Sequence, residues 1–201
     1  IFHVDAIQAY GKLPIVPKNM GIDLLSTSGH KIHGPKGIGF LYIKEGTKIS
    51  PIIFGGGQQK GMRSGTENVP GIVGLAVACE KMIGKNYENA EKIREVKEYF
   101  QERIKEIEDI KDNSGKAPHV ASISFKKLRS EVLLHALEDR EIYVSSGSAC
   151  SSNKKQAVSG TLNAIALSDE FKDGTLRFSF SIENTKEEVD ETIKALKELV
   201  P

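Results

Sequence analysis

Residues 23–39, Asp-Leu-Leu-Ser-Thr-Ser-Gly-His-Lys-Ile-His-Gly-Pro-Lys-Gly-Ile-Gly, decide how the rest of the sequence is interpreted. The apolar and hydroxyl-rich run 24–28 predicts a short buried strand, and the glycine and proline residues that follow end it. The pattern therefore places Lys31 at the end of a strand. A lysine there can lose hydration, and a neutral amine is a nucleophile for carbonyl carbon.

Two other interpretations of this stretch remain open on its residues alone. Lys31 is one of 28 basic residues, and it could simply lie in a solvated glycine-rich and proline-rich loop. The glycines at 34, 37 and 39 also resemble a phosphate-binding loop, although the spacing G-x-x-x-x-G-K-[ST] is absent.

The upstream sequence favours the nucleophilic lysine. Residues 2–5, Phe-His-Val-Asp, predict a strand that ends in a carboxylate, and Gln8 follows three residues later. Enzymes that use pyridoxal 5'-phosphate (PLP) need a lysine for the Schiff base and an aspartate on the pyridine nitrogen. Lys31 and Asp5 are candidates for these two roles.

Four stretches in order resemble the NifS/IscS-type cysteine desulfurases, class V aminotransferase-like enzymes of PLP fold type I. They are HVDAIQAYGKLP (3–14), DLLSTSGHKIHGPKGIG (23–39), GGGQQKGMRSGTEN (55–68) and SSGSAC (145–150). The resemblance implies PLP as cofactor and two catalytic residues, Lys31 and Cys150. The other implied site residues are Asp5 for the pyridine nitrogen, Gln8 for the ring hydroxyl, Ser28 and His30 for the phosphate, Thr66 for the neighbouring subunit's phosphate and Arg177 for the substrate carboxylate.

The resemblance also implies the reaction and its partners. L-Cysteine would be converted to L-alanine, with Lys31 as the base and Cys150 as the thiolate that takes the sulfur as a persulfide. The persulfide would pass to an acceptor protein such as an iron–sulfur scaffold, and the role of Thr66 implies a homodimer. Competing hypotheses are a selenocysteine lyase-like or sulfinate-type PLP enzyme and a non-catalytic chain that keeps the fold.

The neighbouring residues in the sequence bear on the roles of several of these candidates. Small polar residues around Cys150 predict an exposed loop, where the thiol is either a nucleophile or incidental. Arg177 alternates with apolar neighbours on a predicted strand and could lie at the surface. Cys79 is expected in the core, and His30 with His33 lacks the third ligand that zinc needs, so no metal is expected.

Composition limits the remaining classes. Lys and Arg number 28 against 27 Asp and Glu, so no nucleic-acid partner is expected. The absence of a spanning apolar run or a disulfide framework predicts a cytoplasmic protein without membrane contact. Residue 1 is Ile rather than Met, so the natural beginning is expected to lie upstream. The resemblance implies that the chain is the C-terminal half of the enzyme, and that half is expected to be inactive alone.

The expected fold class is α/β. We expect residues 1–86 to form the C-terminal part of the PLP-binding large domain, and residues 87–201 to form a small α+β domain with the Cys150 loop. The first domain is expected to contain a mostly parallel sheet. Predicted strands are 2–5, 24–28, 38–43, 52–54, 120–125, 142–145 and 176–180. Helices are predicted at 69–83, with an apolar stripe at or near Ile72, Val73, Ala76, Cys79 and Ile83, and at 131–139. A long amphipathic helix is predicted within 84–111, with apolar positions Ile93, Val96, Phe100, Ile104 and Ile107, and a last helix has a capping box at Thr185 and Glu188.

Overall fold

The computed structural model describes residues 1–83, 85–146 and 160–200. Their contacts form two compact units, Ile1–Ala90 and Glu91–Pro201. The predicted domain boundary between residues 86 and 87 lies a few residues before this division and stays a prediction. In the part of the chain that is described, every helix is too short or too polar to span a lipid bilayer.

The first unit contains a three-stranded sheet in the order β1-β2-β3. Its strands are β1 (His3–Asp5), β2 (Leu24–Ser26) and β3 (Leu41–Ile43). β1 and β2 are parallel, whereas β3 runs antiparallel to β2. The prediction of a mostly parallel sheet is therefore wrong for β3, because the short return that follows the 3-10 turn Gly29–Ile32 contains no crossover helix.

The predicted strand at 52–54 is also wrong. Ile52 and Phe54 are 89% and 80% exposed, and the adjacent triple glycine belongs to a loop that ends in the 3-10 turn Gln59–Gly61. Helix α1 (Val69–Ile83) has the predicted limits, but the face that it buries differs from the predicted one. The buried residues are Gly71, Leu75, Ala78 and Met82, while Ile72, Val73, Ala76 and Ile83 are exposed and Cys79 is half-buried.

The second unit is built on a four-stranded antiparallel sheet in the order β4-β5-β7-β6. Its strands are β4 (Ile110–Asp112), β5 (Val120–Phe125), β6 (Ser145–Ser146) and β7 (Thr175–Ser179). The helices are α2 (Asn86–Arg103), which begins before the division, α3 (Ser130–Glu138), α4 (Gly160–Ala164), α5 (Asp169–Lys172) and α6 (Lys186–Leu199). A 3-10 turn, Ile104–Glu106, extends α2.

The core of this unit confirms the predicted helical periodicity. All five apolar positions predicted for the long helix are buried: Ile93, Val96, Phe100, Ile104 and Ile107. The ring of Phe100 packs against that of Phe178 on β7, with centroids 4.7 Å apart and the planes tilted by 39°. The predicted capping box is present, since Thr185 Oγ1 accepts from the Glu188 N–H and the Glu188 carboxylate accepts from the Thr185 N–H.

Candidate active site

The candidate site begins where β1 and β2 end. The two strands are parallel, and Asp5 is paired with Ser26 in their register. Because parallel strands present their carboxyl ends at one edge of a sheet, Asp5 and the segment that follows β2 emerge together. That segment contains Ser28, His30 and Lys31.

Asp5 is held by its own backbone turn. Its Oδ1 accepts from the Ile7 N–H at 3.0 Å, and the next residue, Ala6, is fully buried and donates its N–H to the Ser26 carbonyl at 3.0 Å. The turn that starts at Ala6 exposes the Gln8 side chain. The Asp5 carboxylate is therefore exposed and is oriented by the hydrogen bond to Oδ1, while Oδ2 takes no part in that bond.

Ser28 and His30 form a polar pair above the 3-10 turn. Ser28 Oγ and His30 Nδ1 lie 2.8 Å apart, in hydrogen-bonding distance. The hydroxyl and the imidazole N–H could each donate to one oxyanion in place of the hydrogen bond between them. This pair suits a phosphate group.

Lys31 is half-buried within the same turn. Its N–H donates to the Ser28 carbonyl at 3.2 Å, and the next residue, Ile32, is 1% exposed. The Gly29 N–H donates to the Ile38 carbonyl at 2.8 Å, which ties the start of the turn to the return strand. The backbone beneath Lys31 is therefore anchored on both sides.

Glycine is required at residue 39, which packs against the base of this turn. A Cβ atom there would lie 2.3 Å from the Thr27 carbonyl oxygen. The neighbouring Phe40 N–H and carbonyl both bond to Thr27, through its hydroxyl. The close approach of the two backbones supports Ser28 from behind.

Thr66 is exposed and follows a compact loop. Within it, Gln58 Oε1 accepts from the Gly65 N–H at 2.9 Å and Ser64 is buried. Gln59 and Lys60 both have left-handed backbone, with φ of 51° and 58°. Such conformations cost energy and persist where the surroundings impose them. The backbone of the loop that precedes Thr66 is therefore constrained.

In the second unit, Arg177 lies on β7 with an exposed side chain. Its Nη2 donates to Ser145 Oγ at 3.1 Å, and Ser145 is also its register partner on β6. β6 ends at Ser146, four positions before Cys150, which lies outside the described residues. Arg177 therefore stands beside the strand from which the Cys150 segment departs.

The donor set of the first unit fits PLP. A carboxylate suits a pyridinium N–H, the Ser28–His30 pair suits a phosphate, and the Lys31 amine suits an aldehyde. Within residues 1–83, 85–146 and 160–200, no cluster of three or more His, Cys, Asp or Glu side chains is arranged to hold a metal ion. His33 is exposed, with φ of 63° at the end of the turn.

Two features of this region were not anticipated from the sequence. Lys12 is only 9% exposed, and the Tyr10 hydroxyl donates to Cys79 Sγ at 3.7 Å. Burial, and then the contact with Cys79, raise the pKa of Tyr10 to about 12. The apolar periodicity of residues 6–13 is too weak to distinguish a buried lysine from an exposed one.

Comparisons with known proteins agree with this geometry. The profile of the family described as Aminotransferase class-V matches residues 1–192. Cysteine desulfurase IscS of Dictyoglomus turgidum is 39% identical over 203 residues, which are 99% of this chain and 51% of that protein. The chain therefore spans about half the length of the curated relatives it matches.

Solved structures show the same relationship. A NifS-like protein from Rickettsia africae superposes with a TM-score of 0.86 at 31% identity, covering 98% of this chain and 53% of that one. A structure described as SspA in complex with cysteine has a TM-score of 0.69 at 35% identity, covering 92% and 51%. The expected α/β fold and the resemblance to NifS/IscS-type enzymes are confirmed, and the chain belongs to the class V aminotransferase family.

Proposed function

We propose that this chain supplies the lysine, the cysteine and most cofactor ligands of a PLP-dependent cysteine desulfurase. The observation that carries the proposal is the parallel pairing of Asp5 with Ser26, which brings Asp5 and the Ser28–Lys31 turn to one sheet edge. The relatives' names support cysteine desulfurase over the selenocysteine lyase-like alternative. The other half of the relatives' length would complete the enzyme.

Bound PLP would supply an electron sink that stabilises negative charge on the substrate α-carbon. Asp5 would hold a proton on the pyridine nitrogen, since its carboxylate is fixed through Ile7 and points from the strand end. Ser28 and His30 would bind the phosphate, and Gln8 the ring hydroxyl. These contacts fix the orientation in which a carbonyl meets Lys31.

Lys31 would have two roles. Its amine would bind the carbonyl before substrate arrives, and once displaced it would take the proton from the substrate α-carbon. Arg177 would hold the substrate carboxylate through its planar guanidinium, a geometry that lysine cannot reproduce. The hydrogen bond from Arg177 to Ser145 limits the orientations of the guanidinium.

Cys150 would take the sulfur. Its thiolate attacks the substrate sulfur, an S–S bond forms, and the Cβ–S bond of the substrate breaks. The carbon fragment gains protons and leaves as L-alanine, while the enzyme keeps a Cys150 persulfide. The carbon fragment keeps the electron pair of the broken Cβ–S bond and is protonated there, so the step needs no external oxidant.

The partners follow from this chemistry. A persulfide needs an acceptor, and we propose a protein such as an iron–sulfur scaffold, in the cytoplasm. The resemblance implies a homodimer in which Thr66, which is exposed here, reaches the phosphate of the other subunit. We expect no metal, no membrane contact and no direct nucleic-acid contact.

Reductive trapping tests the lysine assignment. The protein is mixed with PLP, reduced with borohydride and mapped by peptide mass spectrometry. Trapping is expected at Lys31 and is expected to disappear in Lys31→Ala, whereas Lys36→Ala, which removes an exposed lysine of the same segment, retains it. Trapping at another lysine with Lys31 unmodified overturns the proposal.

Sulfide release tests the cysteine assignment in the complete enzyme. Cys150→Ser is expected to abolish sulfide formation from L-cysteine, and Cys79→Ser is expected to retain it. Desulfuration that persists in Cys150→Ser would show that the persulfide forms elsewhere. We expect this chain without the other half to release no sulfide.

A further inference from the structure

Arg177 is an exposed cation that lies between two serines. Its strand, β7, is flanked by β5 and β6, and its register partners on these strands are Ser122 and Ser145. Paired residues of neighbouring strands point to the same face of a sheet. Within the described parts of the chain, no carboxylate forms an ion pair with Arg177. The guanidinium is therefore open to an anionic ligand.

The two serines differ in what they contact. Arg177 Nη2 donates to Ser145 Oγ at 3.1 Å. Ser122 donates its backbone N–H to Ser114 Oγ at 3.0 Å, and of the two register partners only Ser145 bonds to the guanidinium. The head of the arginine side chain is thus held on the side of β6.

The other end of the side chain is held by the core. Leu176 and Phe178, the neighbours of Arg177 on β7, are 0% and 5% exposed. The backbone at Arg177 is consequently fixed by apolar packing on the opposite face of the sheet. With the backbone anchored and Nη2 bonded to Ser145, few rotamers of the arginine remain.

One hydrogen bond from Nη2 has a defined effect on carboxylate binding. A guanidinium binds a carboxylate bidentately through either of two edges, Nε with Nη2 or Nη1 with Nη2. Nη2 has two hydrogens, and each belongs to one of these edges. A bond from one hydrogen to Ser145 therefore occupies one edge and leaves the other complete, so substrate can bind without displacing the serine.

We propose that Ser145 is a positioning residue for the substrate carboxylate: it holds the Arg177 guanidinium so that one bidentate edge faces the ligand, and its hydrogen bond persists when the ligand is bound. This inference rests on the proposed role of Arg177. The ligand class is an amino acid with a free α-carboxylate.

Steady-state kinetics of the complete enzyme tests the proposal. Ser145→Ala is expected to raise KM for L-cysteine roughly three- to tenfold, with little change in kcat, because the lost hydrogen bond orients a binding group. Ser122→Ala is the matched control, since it removes a hydroxyl from the other register partner, and it should keep the wild-type KM. An unchanged KM in Ser145→Ala overturns the inference, and a lowered KM would show that the serine competes with substrate.

A pair of variants of equal size covers the case in which Ser145→Ala does not fold, which circular dichroism reports. Ser145→Thr keeps the hydroxyl, and Ser145→Val replaces it with a methyl group. Both β-branched residues suit a strand. The threonine variant is expected to have a KM at least threefold below that of the valine variant, and equal values refute the role of the hydroxyl.

Equilibrium binding separates positioning from general damage to the site. L-Alanine and ethylamine have the same carbon chain and amine apart from the carboxylate. In Ser145→Ala the Kd of L-alanine, measured by calorimetry on the enzyme loaded with PLP, is expected to rise roughly three- to tenfold, while that of ethylamine stays unchanged. An equal loss for both ligands overturns the inference.

The two proposals fail separately. If Arg177→Lys raises KM and Ser145→Ala does not, the role of Ser145 is refuted and the role of Arg177 stands. If Arg177→Lys leaves KM unchanged, the carboxylate binds elsewhere and the positioning role falls with it. In the Arg177→Lys background, Ser145→Ala should have little further effect, and fully additive losses would show that the serine acts independently of the arginine.

Discussion

Asp5 on β1 lies directly opposite Ser26 on β2 in a parallel pair. The pairing aligns the carboxyl ends of the two strands, and the hydrogen bond from the Ala6 N–H to the Ser26 carbonyl continues this alignment beyond β1. A shift of one residue would turn Asp5 to the other side of the sheet, since side chains alternate along a strand. The site therefore depends on this register as much as on the residues themselves.

Asp5→Asn is expected to weaken PLP binding about tenfold or more, because a charged hydrogen bond contributes roughly 1.5–3 kcal/mol. The amide oxygen can still accept from the Ile7 N–H, so the fold should be retained. Fluorescence titration with PLP measures the affinity. Glu45→Gln, at an exposed carboxylate of the same unit, should bind like the wild type, and equal affinities in Asp5→Asn would refute the role of Asp5.

Gly39→Ala is expected to lower the free energy of unfolding by about 1–3 kcal/mol, because the added methyl overlaps the Thr27 backbone. Urea denaturation gives the value. Gly115→Ala is a matched control, since a Cβ there meets no atom within 4 Å, and it should change stability little. Similar effects of the two substitutions would contradict the close approach at Gly39.

Tyr10 should make stability fall in alkaline solution. Its pKa is about 12 in the folded chain against an ordinary 10.0, so the folded state holds the proton longer. The stabilisation is complete below the unfolded pKa and is lost as pH rises between the two values. Urea denaturation at pH values from about 9 to 11.5 should show a steeper loss in the wild type than in Tyr10→Phe. Parallel curves would exclude the effect.

Arg177→Lys in the complete enzyme should raise KM for L-cysteine about tenfold, because the bidentate contact with the carboxylate is lost. Steady-state kinetics of alanine formation provides the test. Arg129→Lys exchanges an exposed arginine of the same unit and should leave KM unchanged. If both variants keep the wild-type KM, the carboxylate binds elsewhere.

Regular periodicity was predictable from the sequence. The five apolar positions of α2 and its extension are all buried, and Thr185 caps α6 as the pattern indicated. In α1 almost every position is apolar, so the pattern could not choose a face. The helix buries Gly71 and Ala78, because small residues allow closer packing, and Gly74 would contact Pro35 if it carried a Cβ.

Features that depend on contacts distant in sequence were not predictable. β3 pairs antiparallel with β2, and Gly39 lets the segment before β3 approach Thr27, a contact that no local pattern contains. The close contact between Gly11 and Ile32, next to the buried Lys12, is likewise distant in sequence. Sequence motifs and side-chain chemistry pointed to the candidate residues at positions 5, 28, 30 and 31. The parallel register of β1 and β2 explains why these residues lie at one edge of the sheet.

Ile32 is 1% exposed, and it directly follows Lys31. The main chain next to the lysine is therefore fixed by a buried apolar side chain, and moving the whole turn would expose Ile32 to solvent. A displacement of the Lys31 amine that keeps Ile32 buried is therefore limited to rotation about the bonds of the lysine side chain.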